Sequence, residues 1–333
     1  MAALLEVENL SVDLLTSRGM ARAVRGVSFA LERGQTLGIV GESGCGKSVT
    51  ALALMRLLPD AAEISGRVAL NGAPLLTLSE AQMCAVRGNS LAMIFQEPMT
   101  SLNPVHTIGR QIGEALKLHR GISGREARSE TVGLLERVGL PHARERLKAY
   151  PHQLSGGQRQ RAMIAMALSC SPHVLIADEP TTALDSTIQG QILDLINELV
   201  DETGMALIMI SHDLGVIAET TDRVMVMYGG AVVEEGPTAR LFERLAHPYS
   251  QGLLRALPRL GRRRGERLET IPGTVPELAD LPSGCTFADR CPLVVDACRA
   301  GPPEMRRVEQ GHGARCIRLD AALAGVPLSG SAL

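Results

Sequence analysis

The chain has 333 residues, with 34 basic and 36 acidic side chains and a formal net charge of −2. Hydrophobic residues make up 45 % of it and aromatics 2 %, with no Trp. This composition excludes a disordered chain, offers no basic field for a nucleic-acid partner, and supplies no aromatic platform for stacking single-stranded bases.

In chain order, the opening residues Met1 to Leu10 have no basic n-region and no long apolar core, so they do not read as a signal peptide. Nowhere do roughly 18 apolar residues run uninterrupted, as a membrane span requires. The chain is expected in the cytosol, reaching a membrane only through partners. Short β-like runs follow at Leu5–Leu14, Val24–Leu31 and Thr36–Val40. Val40–Leu58 reads as strand, Gly-rich turn and helix, and Asn71-Gly72 marks a turn between two short strands. Ile108–Leu118, Gly124–Val138 and Gln158–Ala167 carry apolar residues at helical spacing. Strands return at Val174–Ala177, Ala206–Ile210 and Val224–Met227. Such strand–helix alternation predicts an α/β fold, a mainly parallel sheet with helices on its faces. After His247-Pro248 the texture shifts to Pro, Gly and Arg, including the solvated run Arg262-Arg263-Arg264, which sets a boundary near residue 250.

Two motifs carry chemistry on their own. Gly41, Glu42, Ser43, Gly44, Cys45, Gly46, Lys47 and Ser48 fit G-x-x-x-x-G-K-[ST] between a strand and the helix that begins near Val49. Glycines let that backbone curl so that its N–H groups face phosphate oxygens, and the helix N-terminus adds partial positive charge. Lys47 is expected at the β- and γ-phosphates and Ser48 on Mg²⁺. Further on, Val174–Ala177 delivers Asp178 and Glu179 from the end of a buried strand. Alone, that acidic pair also describes a helix N-cap. Beside a phosphate loop, Asp178 is expected to hold Mg²⁺ and Glu179 to polarise the attacking water.

A third motif, Leu154-Ser155-Gly156-Gly157-Gln158, opens the helix Gln158–Ala167 and so forms a second anion-binding helix terminus. It resembles the signature motif of ABC-type ATPases, and other marks of that family stand in order. Gln96 in Ile94-Phe95-Gln96-Glu97-Pro98 resembles the Q-loop, Ala183-Leu184-Asp185 the D-loop, and His212 the switch histidine. The resemblance runs from about residue 4 to 250. It implies a P-loop NTPase fold with a RecA-like core, an antiparallel β subdomain and a helical subdomain at about 97–165, within an ATPase domain of residues 1–250. It also implies that ATP contacts residues 41–49, Ser155 to Gln158 and Asp185. By the same resemblance Gln96 joins the Mg²⁺ shell, and Lys47, Gln96, Glu179 and His212 act in hydrolysis. Each ATP is then sandwiched between one subunit's phosphate loop and its partner's signature motif. The aromatic residue that usually stacks on adenine is missing, since residues 11–28 hold no Phe, Tyr or Trp. Leu14, Met20 and Arg22 are the candidates to cover the base.

Several stretches are similar to the ATPase subunits of dipeptide/oligopeptide-permease importers, including related nickel and glutathione systems. They are the phosphate loop itself, Met93 to Pro104, Tyr150 to Ser155, and His247-Pro248-Tyr249. Cys285 and Cys291, followed by Cys298 and Cys316, resemble the C-terminal extension of those subunits, here residues 251–333. In that family the four cysteines bind a 4Fe–4S cluster. The residues themselves leave iron–sulfur, zinc and unbound thiols open, although gaps of five, six and seventeen residues lack the tight C-x₂-C pairs of many zinc sites. The implied assembly has a second homologous ATPase, two transmembrane permease subunits and an extracytoplasmic binding protein. The chain would lie peripherally on the cytoplasmic face of the inner membrane. The competing class is a soluble ABC ATPase without a transport role, which predicts a coiled-coil or zinc insertion, or two ATPase halves in one chain. The sequence contains neither.

Overall fold

The structure, a computed structural model, describes residues 3–97, 101–182, 184–256 and 270–324. Expectations for Pro98 to Thr100, Ala183 and the arginine run 262–264 lie outside the described residues. In chain order the strands are β1 (Leu5–Thr16), β2 (Gly19–Leu31), β3 (Thr36–Val40), β4 (Glu63–Leu70), β5 (Ala73–Pro74) and β6 (Leu91–Ile94). They continue with β7 (Val174–Asp178), β8 (Ala206–Ser211), β9 (Arg223–Tyr228), β10 (Ala231–Pro237), β11 (Arg306–Glu309) and β12 (His312–Ala314). By packing, the chain divides into two compact units. The first is built from residues 1–6, 30–36 and 69–210, the second from 7–29, 37–68 and 211–333.

In the first unit β6, β7 and β8 run parallel, with Leu91 opposite Val174 and Val174 opposite Ala206. Every residue of β6 and β7 is buried. Runs such as Leu91-Ala92-Met93-Ile94 are apolar on both faces, which is the pattern of a parallel strand covered from both sides. The helical stretch sits between β6 and β7. Helix Ile108–Arg120 buries Ile108, Ile112 and Leu116 at four-residue spacing. Thr107 caps its start by accepting the Arg110 N–H, and Gly121 ends it in a left-handed conformation. Helices Gly124–Arg137 and Gly156–Leu168 complete the expected set.

In the second unit β2, β1 and β4 lie side by side in that order. Separately, β3 pairs in parallel with β9, and β9 pairs antiparallel with β10. Two short strands of the C-terminal extension continue this edge: β12 pairs with β10 (Glu234 opposite Ala314), and β11 pairs with β12. Residues 306–314 of the extension are therefore more regular than its Pro- and Gly-rich sequence predicts. Part of the reason is a buried polar knot. Glu234 on β10 accepts the backbone N–H groups of Ala246 and His247 at 2.6 and 2.9 Å, and the His312 Nε2–H at 2.8 Å. A carboxylate satisfied from three sides tolerates full burial. Burial lowers the pKa of the neighbouring His247 to about 4. Among the described residues no helix is long and apolar enough to cross a membrane.

Candidate nucleotide site

The phosphate loop leaves β3 at Gly41 and enters helix Lys47–Leu54 through Gly46, whose φ of 98° is left-handed. A Cβ at Gly46 would stand 2.6 Å from the Ala23 carbonyl oxygen, and one at Gly41 2.2 Å from that of Met227. Neither clash is with a flexible side chain, so both positions admit glycine alone, and the loop is a backbone-lined cradle. Lys47 is 5 % exposed. Its ammonium donates to the carbonyl oxygens of Gly41 at 2.7 Å and Glu42 at 3.1 Å. Thus the expected phosphate-binding cation lies inside the loop, held by the loop's own backbone. Ser48 is half-buried in the first turn of the helix, and Thr50 bonds back to the Gly46 carbonyl at 2.9 Å. Cys45 is fully buried, and burial pushes its thiol pKa up, which keeps it neutral. Gly44 and Ser43 are exposed at the loop's tip.

Glu42 is tied from outside the loop. Its N–H donates to the Tyr249 hydroxyl at 2.8 Å, and its carboxylate takes a bidentate pair from Arg290 at 2.7 and 3.0 Å. Sequence reasoning missed both partners.

In the first unit β7 ends in Asp178, 4 % exposed, and the chain then turns sharply at Glu179. Glu179 has φ of 46°, an uncommon conformation for a side chain of that size. The Glu179 N–H reaches the Ile210 carbonyl at 2.9 Å, which fixes the turn against β8. Glu179 Oε2 accepts from Gln96 Nε2 at 3.1 Å and from the Thr182 hydroxyl at 2.9 Å. The predicted Q-loop glutamine and the predicted catalytic carboxylate are thus in contact. Thr182 is a further partner, and its only sequence signal was its place just after the acidic pair.

Ser155 is the N-cap of helix Gly156–Leu168, in a reciprocal box with Gln158: each side chain accepts the other's backbone N–H, at 3.3 and 3.2 Å. Ser155 and Gly156 are exposed. A Cβ on Gly157 would meet the Ile188 side chain at 3.0 Å. Asp185, expected at the nucleotide, caps helix Ser186–Thr203 by accepting the Ile188 N–H at 3.0 Å. His212 is exposed, directly after β8. Arg22, one candidate for covering the base, is engaged by Asp13 at 2.9 and 2.8 Å, while Met20 is 49 % exposed.

Cys285, Cys291, Cys298 and Cys316 line one pocket, together with His247, Phe287 and Arg318 among others. They are free thiols. Among the described residues no group of three or more His, Cys, Asp or Glu side chains is assembled as a metal site. The expected 4Fe–4S cluster therefore has no preformed ligand set. Burial raises the thiol pKa values of Cys285 (to about 11), Cys291 and Cys316, whereas ligation needs thiolates. Four sulfur donors lining one pocket have the chemistry of a sulfur-ligated group, but their side chains are not gathered as a ligand set.

Comparison with known proteins accounts for both halves of this picture. Residues 24–182 match the ABC transporter family, and residues 233–298 match the oligopeptide/dipeptide transporter C-terminal region. A Brucella abortus (strain 2308) protein described as a peptide import ATP-binding protein is 53 % identical over 327 residues, covering 95 % of this chain and 97 % of that protein. A Sinorhizobium fredii protein described as a peptide ABC transporter ATP-binding protein is 52 % identical over 317 residues, covering 95 % of each. Among solved structures, a dimeric ATP-binding cassette in a post-hydrolysis state with ADP and Pi is 27 % identical, with a TM-score of 0.63 over 70 % of this chain and 98 % of that one. A Clostridium perfringens protein, part of an ABC transporter complex, is 28 % identical with a TM-score of 0.60, over 73 % of this chain and 91 % of that one. The backbone cradle at residues 41–48, the carboxylate at the end of β7 and these matches agree: the chain belongs to the ABC transporter family, as the ATP-hydrolysing, ATP-binding subunit of a peptide importer.

Proposed function

We propose that this subunit closes on a homologous ATPase around ATP, each chain supplying the phosphate loop of one site and the signature turn of the other. The closing motion then passes to two membrane-spanning permeases at the cytoplasmic face of the inner membrane. The observation that carries this reading is the state of the signature turn. Ser155 and Gly156 are exposed, and their turn is finished locally by the Ser155–Gln158 box, so the helix terminus is presented outward. A helix N-terminus open to solvent suits an anion brought by a second chain. The dimeric cassette bound to ADP and Pi supports a pairing of two such chains. The partner is proposed to be a different chain with its own signature motif, and an extracytoplasmic binding protein would deliver the peptide. Residues 97–165 would carry the docking surface for the permeases, with Gln96 as the hinge between that surface and Glu179.

In hydrolysis, Lys47 and the loop N–H groups hold the β- and γ-phosphates, and Glu179 orients water in line with the γ-phosphorus; the products are ADP and phosphate. Mg²⁺, when bound, neutralises phosphate charge. Ser48, Asp178 and the Gln96 amide oxygen are the hard oxygen donors that would hold it. Thr182 and Gln96 hold the carboxylate of Glu179. His212 would contact the γ-phosphate on closure. Leu14 and Met20 are left as apolar cover for the base.

The test is Glu179→Gln, which keeps the shape and removes the charge. Single-turnover hydrolysis is expected to fall by at least about 100-fold, on the order of 3 kcal/mol of barrier, while ATP affinity stays within about twofold. Hydrolysis near the wild-type rate removes Glu179 from this role.

The four cysteines are proposed as ligands of a structural 4Fe–4S cluster that stabilises the extension, supported by their convergence on one pocket. Anaerobically purified protein should carry about four irons per chain. One zinc per chain would replace the cluster by a zinc site, and metal-free protein that assembles normally would remove both.

A further inference from the structure

A carboxylate in a phosphate loop is a poor neighbour for a polyphosphate, because like charges repel. Glu42 is such a carboxylate, the second residue of the cradle. The structure answers the repulsion with Arg290, 248 residues away in the C-terminal extension. Its Nη1 and Nη2 take the two carboxylate oxygens of Glu42 at 2.7 and 3.0 Å. The Arg290 side chain is 5 % exposed and that of Glu42 29 %. The guanidinium is itself anchored elsewhere: Nε donates to the Pro272 carbonyl at 2.9 Å, Nη2 reaches the Ile271 carbonyl at 3.4 Å, and the cation stands 5.7 Å from the centre of the Tyr228 ring. A planar fork with several donors can hold a carboxylate and two carbonyls at once, which an ammonium cannot.

The backbone of Glu42 is fixed as well. Its N–H meets the hydroxyl of Tyr249, and Tyr249 packs against Tyr228 and Phe287 with ring centres 4.7 and 5.3 Å apart. Phe287 stands three residues before Arg290. The Glu42 carbonyl accepts from the Lys47 ammonium. So three groups of one residue are set: the side chain by Arg290, the N–H by Tyr249, and the carbonyl by the lysine expected to meet phosphate. A second contact from the extension, Arg18 with Asp280 at 2.7 and 2.8 Å, is solvent-exposed and adds little. The Arg290–Glu42 pair, with its guanidinium buried, is what can transmit.

We propose that Arg290 is a positioning residue for ATP binding: it neutralises Glu42 and locks the first turn of the phosphate loop, so the C-terminal extension sets the subunit's affinity for nucleotide. This rests on reading residues 41–48 as the phosphate cradle. Arg290 lies outside residues 41–48 and reaches the loop through the Glu42 carboxylate, so its effect is expected on binding and not on the chemical step.

The experiment uses the full chain with Mg²⁺ and ATP. Affinity is measured by calorimetry, KM and kcat in the assembled transporter, and folding by thermal unfolding. Arg290→Met is expected to weaken ATP binding about tenfold and to raise KM similarly, with kcat within about twofold. Arg290→Lys, which keeps the charge and loses the fork, should fall between wild type and Arg290→Met, and it remains informative if the Met variant does not fold. Glu42→Gln added to Arg290→Met should recover much of the affinity, because the stranded carboxylate is gone. A merely structural role would lower the unfolding temperature of the variants and leave KM unchanged; that result overturns the proposal. So does a double variant that binds as weakly as Arg290→Met. Lys47→Ala separates the two readings. If it still binds ATP at the wild-type level, the cradle reading falls and takes the proposal with it. If it loses binding while folded Arg290→Met and Arg290→Lys bind normally, the proposal alone falls.

Discussion

Residues 41–48 and residues 155–158 both bring glycines to the start of a helix, and the two turns are finished in opposite ways. In the first, Gly41 and Gly46 are required by backbone carbonyls that leave no room for a Cβ, and Lys47 is folded inside. Its geometry is completed by Tyr249 and Arg290, far along the chain. In the second, Ser155 and Gln158 satisfy each other within four residues, and Ser155 and Gly156 face solvent. The Cβ missing from Gly157 would meet a movable Ile188 side chain, not backbone. One turn is a closed socket that the subunit builds for itself. The other is an open surface that costs the fold little and, under the proposed function, acquires its purpose from a second chain.

Substitutions at the two turns test this contrast. The largest effect is expected at the socket. Gly46→Ala forces a Cβ against the Ala23 carbonyl at a left-handed φ, and isolated-chain ATP affinity should fall at least about 100-fold, about 2.7 kcal/mol. Near-normal binding would show that the loop can rebuild itself and is not closed. Gly157→Ala should leave ATP binding by the isolated chain within about twofold, yet lower turnover of the assembled pair by about tenfold, or about 1.4 kcal/mol. If isolated binding drops as well, the signature turn serves its own chain and the contrast fails. The smallest effect is expected for Ser155→Ala. Loss of the cap should cost about 1 kcal/mol of stability in a denaturant titration, with isolated-chain ATP binding unchanged.

How legible each part was in the sequence follows the same contrast. Residues 41–48, 154–158 and 178–179 could be read because each motif is local and its chemistry is fixed by residue type and spacing. The strands at 174, 206 and 224 and the helix at 108 were legible within a few residues, since apolar periodicity reports burial directly. What stayed hidden depended on contacts between distant residues. Nothing near Glu42 announces Arg290, and nothing in the Pro-rich extension announces that β12 will pair with β10. Asp185 has a local role that the motif does not announce. Read as a nucleotide contact through family resemblance, it caps its own helix, a role any Asp at that position could play. Thr182 was invisible because hydroxyls are common and only the left-handed turn at Glu179 brings this one onto the carboxylate.

The 248 residues between Glu42 and Arg290 also set an order of events during synthesis. At about 5–20 residues per second, the phosphate loop leaves the ribosome roughly 12–50 s before the arginine that holds it. Throughout that interval the nascent chain lacks the guanidinium that offsets the Glu42 charge, and for most of it also the Met227 carbonyl and the Tyr249 hydroxyl that shape the loop. Its grip on cellular nucleotide should therefore be weakest while the chain is incomplete, and should tighten only when the last segment docks.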